Sequence, residues 1–187
     1  MDQAYHLRTP LNSNDIEFLR SGDRVTISGT LYTARDTAHR RLMELIEAGM
    51  DLPIPIEGQV IYYVGPSPAP PGRVIGAAGP TTSYRMDPFA PRLLELGLKG
   101  MIGKGKRSKE VLEAMVKYKG VYMAATGGAG ALMARTIKEA RVVAYEDLGP
   151  EAIRELKVEM FPAVVVNDTL GNDLYVEGQK QYRIDSA

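Results

Sequence analysis

After Ala77 the chain settles into one repeated pattern, a short apolar run, a loop, then a helix-forming stretch, and this limits the fold more than any other feature. Leu93, Leu94 and Leu96 mark a helix, Gly100 to Ile102 a strand, and Ser108 caps a helix carrying Val111, Leu112, Met115 and Val116. Val121 to Ala124 then reads as a strand, Ala129 to Ile137 as a helix and Val142 to Tyr145 as a strand. Short apolar strands alternating with helices pair in parallel through helical crossovers, since each strand is then covered on both faces.

Upstream, His6 to Leu11 reads as a short strand, and Asn14 or Asp15 as the cap of a helical turn through Ile16, Phe18 and Leu19. Ser21, Gly22 and Asp23 make a turn. Val25, Ile27, Gly29 and Leu31 alternate with Thr26, Ser28 and Thr30, the period of a strand with one buried face, ending near Arg35. Asp36 or Thr37 caps the next helix, with Leu42, Leu45, Ile46 and Met50 at helical spacing and Gly49 at its end. Leu52 to Ile56 is extended, and Val60 to Val64 is a strand. Prolines at 66, 68, 70 and 71 make an exposed loop up to Gly72, followed by a strand from Val74 to Ala77. Near the end, Ala163 to Val166 and Leu174 to Val176 flank a turn of Asn167, Asp168, Gly171 and Asn172, which reads as a closing hairpin before a tail from Gln179 to Ala187. The expected fold is therefore α/β, a mixed sheet with helical crossovers and antiparallel strands early and late, with residues 1–187 forming one domain.

Composition narrows the chemistry. The 187 residues, 44% hydrophobic, suffice for a real core, and 23 basic residues balance 23 acidic ones. No overall field draws this chain to nucleic acid or an anionic membrane, so any anion site is local. No apolar run reaches the roughly 18 residues of a membrane span, and the N-terminus lacks a signal-peptide core, so a cytoplasmic location is expected. The sequence has no cysteine, which excludes disulfides, thiol nucleophiles and self-supplied iron-sulfur ligands. His6 and His39 are its only imidazoles, too few for a metal site needing three or four converging ligands, so no metal bound by this chain is expected.

Ligands of α/β sheets collect at strand carboxyl ends, and three loops there carry chemistry. In Thr33 to His39, Arg35 offers a planar fork suited to a carboxylate; the competing reading is a surface ion pair with Asp36 or Glu44. In Gly79 to Asp87, Thr81, Thr82 and Ser83 stand beside Arg85, either to hold an anion or simply to cap a helix. In Gly100 to Ser108, the spacing of Gly100, Gly105 and Lys106 approaches a phosphate-binding loop, but Arg107 stands where Ser or Thr must hold magnesium. What survives there is a glycine-rich turn with three cations at a helix N-terminus, against a plain tight turn with solvated lysines. The run Thr126, Gly127, Gly128, Ala129, Gly130 lacks dinucleotide spacing.

Together these loops resemble the class I fumarase and tartrate dehydratase beta-type family, from roughly Leu7 to Glu177. The likeness is carried by Ser28, Gly29 and Thr30, by Ala34, Arg35, Asp36, Ala38 and His39, and by Gly79, Pro80, Thr81, Thr82, Arg85, Met86 and Asp87. Gly103, Lys104, Gly105, Arg107 and Ser108 extend it, followed by Gly127 and Gly128, then Glu159, Phe161, Pro162 and Gly171, Asn172, Asp173.

The resemblance implies a swivelling β/β/α domain that closes over a separate part bearing a [4Fe-4S] cluster, here a cysteine-bearing alpha subunit in a hetero-oligomer. In that family an iron acts as Lewis acid for loss of hydroxide from the substrate while a protein base removes the neighbouring carbon's proton. Carried over, Thr81 is the base, Lys104 adds charge where the intermediate develops, and Arg35, Arg85 and Thr82 bind the substrate, with Asp36 and His39 in support. Lys106 stands where many relatives have Asn, and the sequence leaves open which lysine faces inward. The implied activity is hydration of fumarate to malate; dehydration of tartrate to oxaloacetate is the alternative, and a non-catalytic anion-binding or assembly domain the rival.

Overall fold

The computed structural model describes residues 4–125 and 129–182, so Gly127 and Gly128, which carry part of the resemblance, and the end of the tail lie outside the described residues. Five strands lie parallel in the order β1 (Tyr5–Arg8), β2 (Arg24–Thr33), β3 (Val60–Tyr62), β4 (Gly100–Gly103) and β5 (Val121–Ala124). Two more, β6 (Ile137–Ala144) and β7 (Ile153–Asn167), pair antiparallel with each other. The 15-residue β7 also pairs antiparallel with β2 and, near its end, with β5, so β2, β3, β4, β5 and β7 close into a ring.

That ring sorts its side chains by the period of two. Val60, Tyr62, Ile102 and Met123 point inside with Ile27, Leu31 and Phe161. Ile61, Tyr63, Met101 and Tyr122 point outward against residues of α2 (Asp36–Glu47), α3 (Ala90–Glu95) and α4 (Lys109–Tyr118), such as Leu42, Leu93 and Met115. Strand, strand and helix layers thus share one closed sheet, the β/β/α arrangement, and each fully buried Leu, Ile or Phe contributes about 1.5–3 kcal/mol.

One bulge makes the closure possible. Gly29 adopts φ +115, and a Cβ there would lie 2.5 Å from the Thr9 hydroxyl. Only glycine fits, and the register against β7 shifts at this point. β2 can then pair with β1 over Val25–Ser28 and with β3 over Tyr32–Thr33.

Several expectations are corrected. The early strands β1 and β2 are parallel, because β1 joins the ring's outer edge rather than folding back as a hairpin. Val74 to Ala77 is no strand: the Ser67 amide donates to the Ala77 carbonyl at 3.0 Å and the Ala77 amide to the Ser67 hydroxyl at 2.8 Å, so the proline loop closes on itself. Leu174 to Val176 lies in a helix, Leu174–Tyr182, not in a hairpin strand. Asp173 accepts the Tyr175 amide at 2.8 Å and starts that helix, overriding the strand preference of the tyrosine and valine. The first helical turn, Ser13–Ile16, is capped by Asn12 with Asp15 closing the box, upstream of the expected Asn14 or Asp15. Arg35 is the cap residue of α2 and makes no side-chain cap bond, leaving the Asp36 carboxylate free for another partner.

Candidate functional site

β3 and β4 stay paired as far as Tyr62 and Ile102, where a third segment divides them. The Thr81 amide donates to the Tyr63 carbonyl at 2.8 Å, the Lys104 amide to the Thr81 carbonyl at 3.2 Å, and the Ser83 amide to the Lys104 carbonyl at 2.9 Å. Thr82 and Lys104 form an isolated parallel bridge. Thr81–Ser83 is therefore a wedge at the carboxyl edge, in the kind of crevice where α/β sheets bind ligands. The Thr81 hydroxyl donates to the Tyr63 carbonyl at 2.8 Å.

Arg35 reaches the same edge from β2. The Ala34 amide donates to the Tyr62 carbonyl at 3.3 Å, so only the end of β3 separates the Arg35 and Thr81 loops. Two strand spacings, roughly 10 Å in all, lie between their backbones. The Arg35 guanidinium pairs with Glu151 at 3.0 Å, and a Cβ on Gly65 would come within 3.0 Å of its Nη1. Arg85, on the 3-10 turn Ser83–Met86, pairs with Asp36 at 3.0 Å and so joins the first loop to the second. The expected surface pairing of Arg35 with Asp36 or Glu44 gives way to these two cross-loop pairs. Thr82 makes no cap bond, and Ser83 meets the Tyr122 hydroxyl at 2.8 Å, so neither serves the helix as a cap.

The third loop divides its cations differently from the expectation of three around one turn. Lys104 and Lys106 are exposed, whereas the Arg107 side chain is 0% exposed and turned inward onto Asp87 at 2.6 Å. Gly103 faces the helix layer, where a Cβ would collide with the Ser83 hydroxyl and Tyr63 ring. Period two turns the next residue, Lys104, to the opposite face beside Thr82, while Lys106 lies past Gly105, whose φ of +88 ends the strand.

His39 is fully buried, edge-on to Tyr63 and stacked on Phe89. Its Nδ1 lies 2.8 Å from the Arg35 carbonyl, which can only accept, so the proton sits on Nδ1. Burial pushes its pKa down to about 4, so the ring is neutral near pH 7 and holds the Arg35 backbone rather than donating charge.

Glu151 and Tyr63 were not found by reading the sequence. Glu151 follows a Gly149-Pro150 break with no periodic signal, and Tyr63 contributes through its carbonyl, to which any residue type is equivalent. With no cysteine in the sequence, and no group of three or more His, Cys, Asp or Glu poised for a metal among the described residues, the residues present do not fit an iron-sulfur centre.

The closed β/β/α domain thus presents arginines, a lysine and threonines along one strand-end crevice. The chain belongs to the Fumarase C-terminus family, whose model matches residues 2–178. It is 43% identical over 154 residues to the anaerobic class I fumarate hydratase of Escherichia coli K12, covering 81% of this chain and 28% of that protein. Identity to the mitochondrial fumarate hydratase 1 of Leishmania major is 42% over 154 residues, again 81% of this chain and 28% of that one. The putative L(+)-tartrate dehydratase subunit beta of Methanocaldococcus jannaschii is 37% identical over 177 residues, 91% of each chain. The chain thus spans little more than a quarter of the fumarate hydratases and nearly the whole of the tartrate dehydratase subunit.

Proposed function

We propose that this chain is the beta subunit of a hydro-lyase that hydrates fumarate to malate, completed by a cysteine-bearing alpha subunit that holds the [4Fe-4S] cluster. The observation that carries this reading is the Thr81–Ser83 wedge between β3 and β4, with Arg35 on one side and Lys104 on the other. In this reading Arg35 and Arg85 hold the two substrate carboxylates, trading Glu151 and Asp36 for them, and Thr82 contacts the bound acid. Lys104, rather than Lys106, stabilises the charge that builds on the acid, because strand phase turns it toward Thr82.

Thr81, ionised to the alkoxide, takes the proton from the carbon next to the hydroxyl-bearing one when malate is dehydrated, and gives it back to that carbon when fumarate is hydrated. Its hydroxyl starts as a donor to the Tyr63 carbonyl, so this role requires that bond to break as the site closes and dries beside the cations. Thr81 is half-buried and Lys104 and Arg85 are exposed, so the crevice is wet on this chain alone. A covering surface from the alpha subunit supplies the missing wall. No helix among the described residues is long and apolar enough to cross a membrane, and a cytoplasmic location accompanies the reading.

Dehydration of tartrate is the second reading, favoured by the end-to-end match with the tartrate dehydratase subunit. Reconstituted enzyme carrying Thr81→Ala should lose about 10²–10⁴-fold in turnover, while Thr81→Ser retains most of it. Unchanged turnover in Thr81→Ala would leave an anion-binding or assembly domain as the better description.

A further inference from the structure

Beneath the crevice lies a polar layer that the proposed chemistry does not use. Asp87 ends the loop that carries Thr81 and Arg85, and both its oxygens are committed to the loop that carries Lys104. One accepts from Arg107 Nε at 2.6 Å and the other from the Ser108 amide at 2.7 Å. The Arg107 guanidinium lies over the rings of Tyr63 at 5.4 Å and Tyr122 at 4.9 Å, and its Nη1 faces the Met101 sulfur at 3.3 Å.

A second bridge joins the same two loops. The Tyr122 hydroxyl donates to the Gly105 carbonyl at 3.0 Å, so the Ser83 hydroxyl must be the donor in their 2.8 Å contact. Gly105 is also held from the other side, its amide donating to the Tyr175 hydroxyl at 3.1 Å.

A buried ion pair gives little or no net stability over apolar residues of the same volume, because two charges must leave water. Its distinctive property is direction: the guanidinium fork and the carboxylate fix each other's orientation, and Tyr63 and Tyr122 leave Arg107 no other place to lie. The two loops thus cannot shift against each other without breaking a charge pair in a dry setting.

We propose that Asp87 and Arg107 are positioning residues that lock the Thr81 wedge to the Lys104 turn, setting the distance between the hydroxyl and the ammonium across the substrate. This rests on the hydro-lyase reading for its catalytic consequence and on the geometry alone for its mechanical one. It also explains why arginine stands at the position a phosphate-binding loop gives to Ser or Thr: the side chain is a brace turned away from the crevice.

The experiment uses the double variant Arg107→Met/Asp87→Asn, which leaves no unpaired buried charge and keeps an acceptor for the Ser108 amide, with Arg107→Lys as the variant that retains charge should the first fail to fold. Reconstituted enzyme should lose at least about tenfold in kcat with KM within about threefold, the mark of misplacement rather than lost binding. Amide exchange of the isolated chain should accelerate at Lys104 and Ser83 and stay unchanged at Tyr63. A kcat within about twofold of the parent, or unaltered exchange at both amides, overturns the proposal. If the parent mixture itself has no turnover, the hydro-lyase reading falls, and the exchange arm still decides whether the pair locks the loops.

Discussion

Arg85 and Arg107 each meet one aspartate, at 3.0 Å and 2.6 Å, yet the first pair is 44% and 25% exposed and the second 0% and 10%. Water can replace Asp36 around Arg85 at small cost, which is what the proposed exchange of that partner for a substrate carboxylate requires. Nothing can replace Asp87 around Arg107, because leaving that guanidinium without a counterion strands a charge in the core. Burial is the largest single influence and opposes the Arg107 charge, but the neighbouring Tyr63, Asp87 and Tyr122 together more than compensate, and its pKa rises. Two identical residue pairs that share the second loop thus divide into a releasable contact at the mouth of the crevice and a fixed one beneath it.

The sharpest way to break the comparison is truncation of the buried partner. Arg107→Ala leaves Asp87 unpaired and removes the side chain between two tyrosines, so it should cost about 3–5 kcal/mol in denaturant unfolding.

His39, which feels both pairs, gives the next largest effect through pH. The unfolded chain carries an imidazole that titrates near 6.5 and the folded one near 4, so between those values the unfolded state binds more protons. Stability is full above 6.5 and falls as pH drops, by about 2 kcal/mol between pH 7 and pH 5. Unfolding midpoints at the two pH values should show this difference in the parent and a much smaller one in His39→Asn.

Arg85→Ala should change stability least, by about 1 kcal/mol or less, while weakening the grip on a dicarboxylate. A stability loss as large as that of Arg107→Ala would erase the distinction between the two pairs.

How much of this was readable beforehand depends on the range of the interaction. The α4 helix with its Ser108 cap and the strands β3, β4 and β5 are written in local periodicity, and the structure keeps them. The first half of β7 is written in a partner far away, since Tyr32 meets Glu155 across 123 residues, and the positive φ of Met160 interrupts its alternation. The crevice residues could be gathered from their spacing and from the family they resemble. Their division of labour could not: the same basic character describes Lys104, Lys106 and Arg107, and only burial tells the brace from the exposed pair.

The most direct measurement mixes this chain anaerobically with its candidate alpha subunit and follows fumarate, malate and tartrate. Turnover that neither chain has alone, and that Arg35→Ala and Arg85→Ala each lower, is the predicted result. Turnover by the alpha subunit without this chain, or turnover indifferent to both arginines, would contradict a crevice built here to grip the substrate.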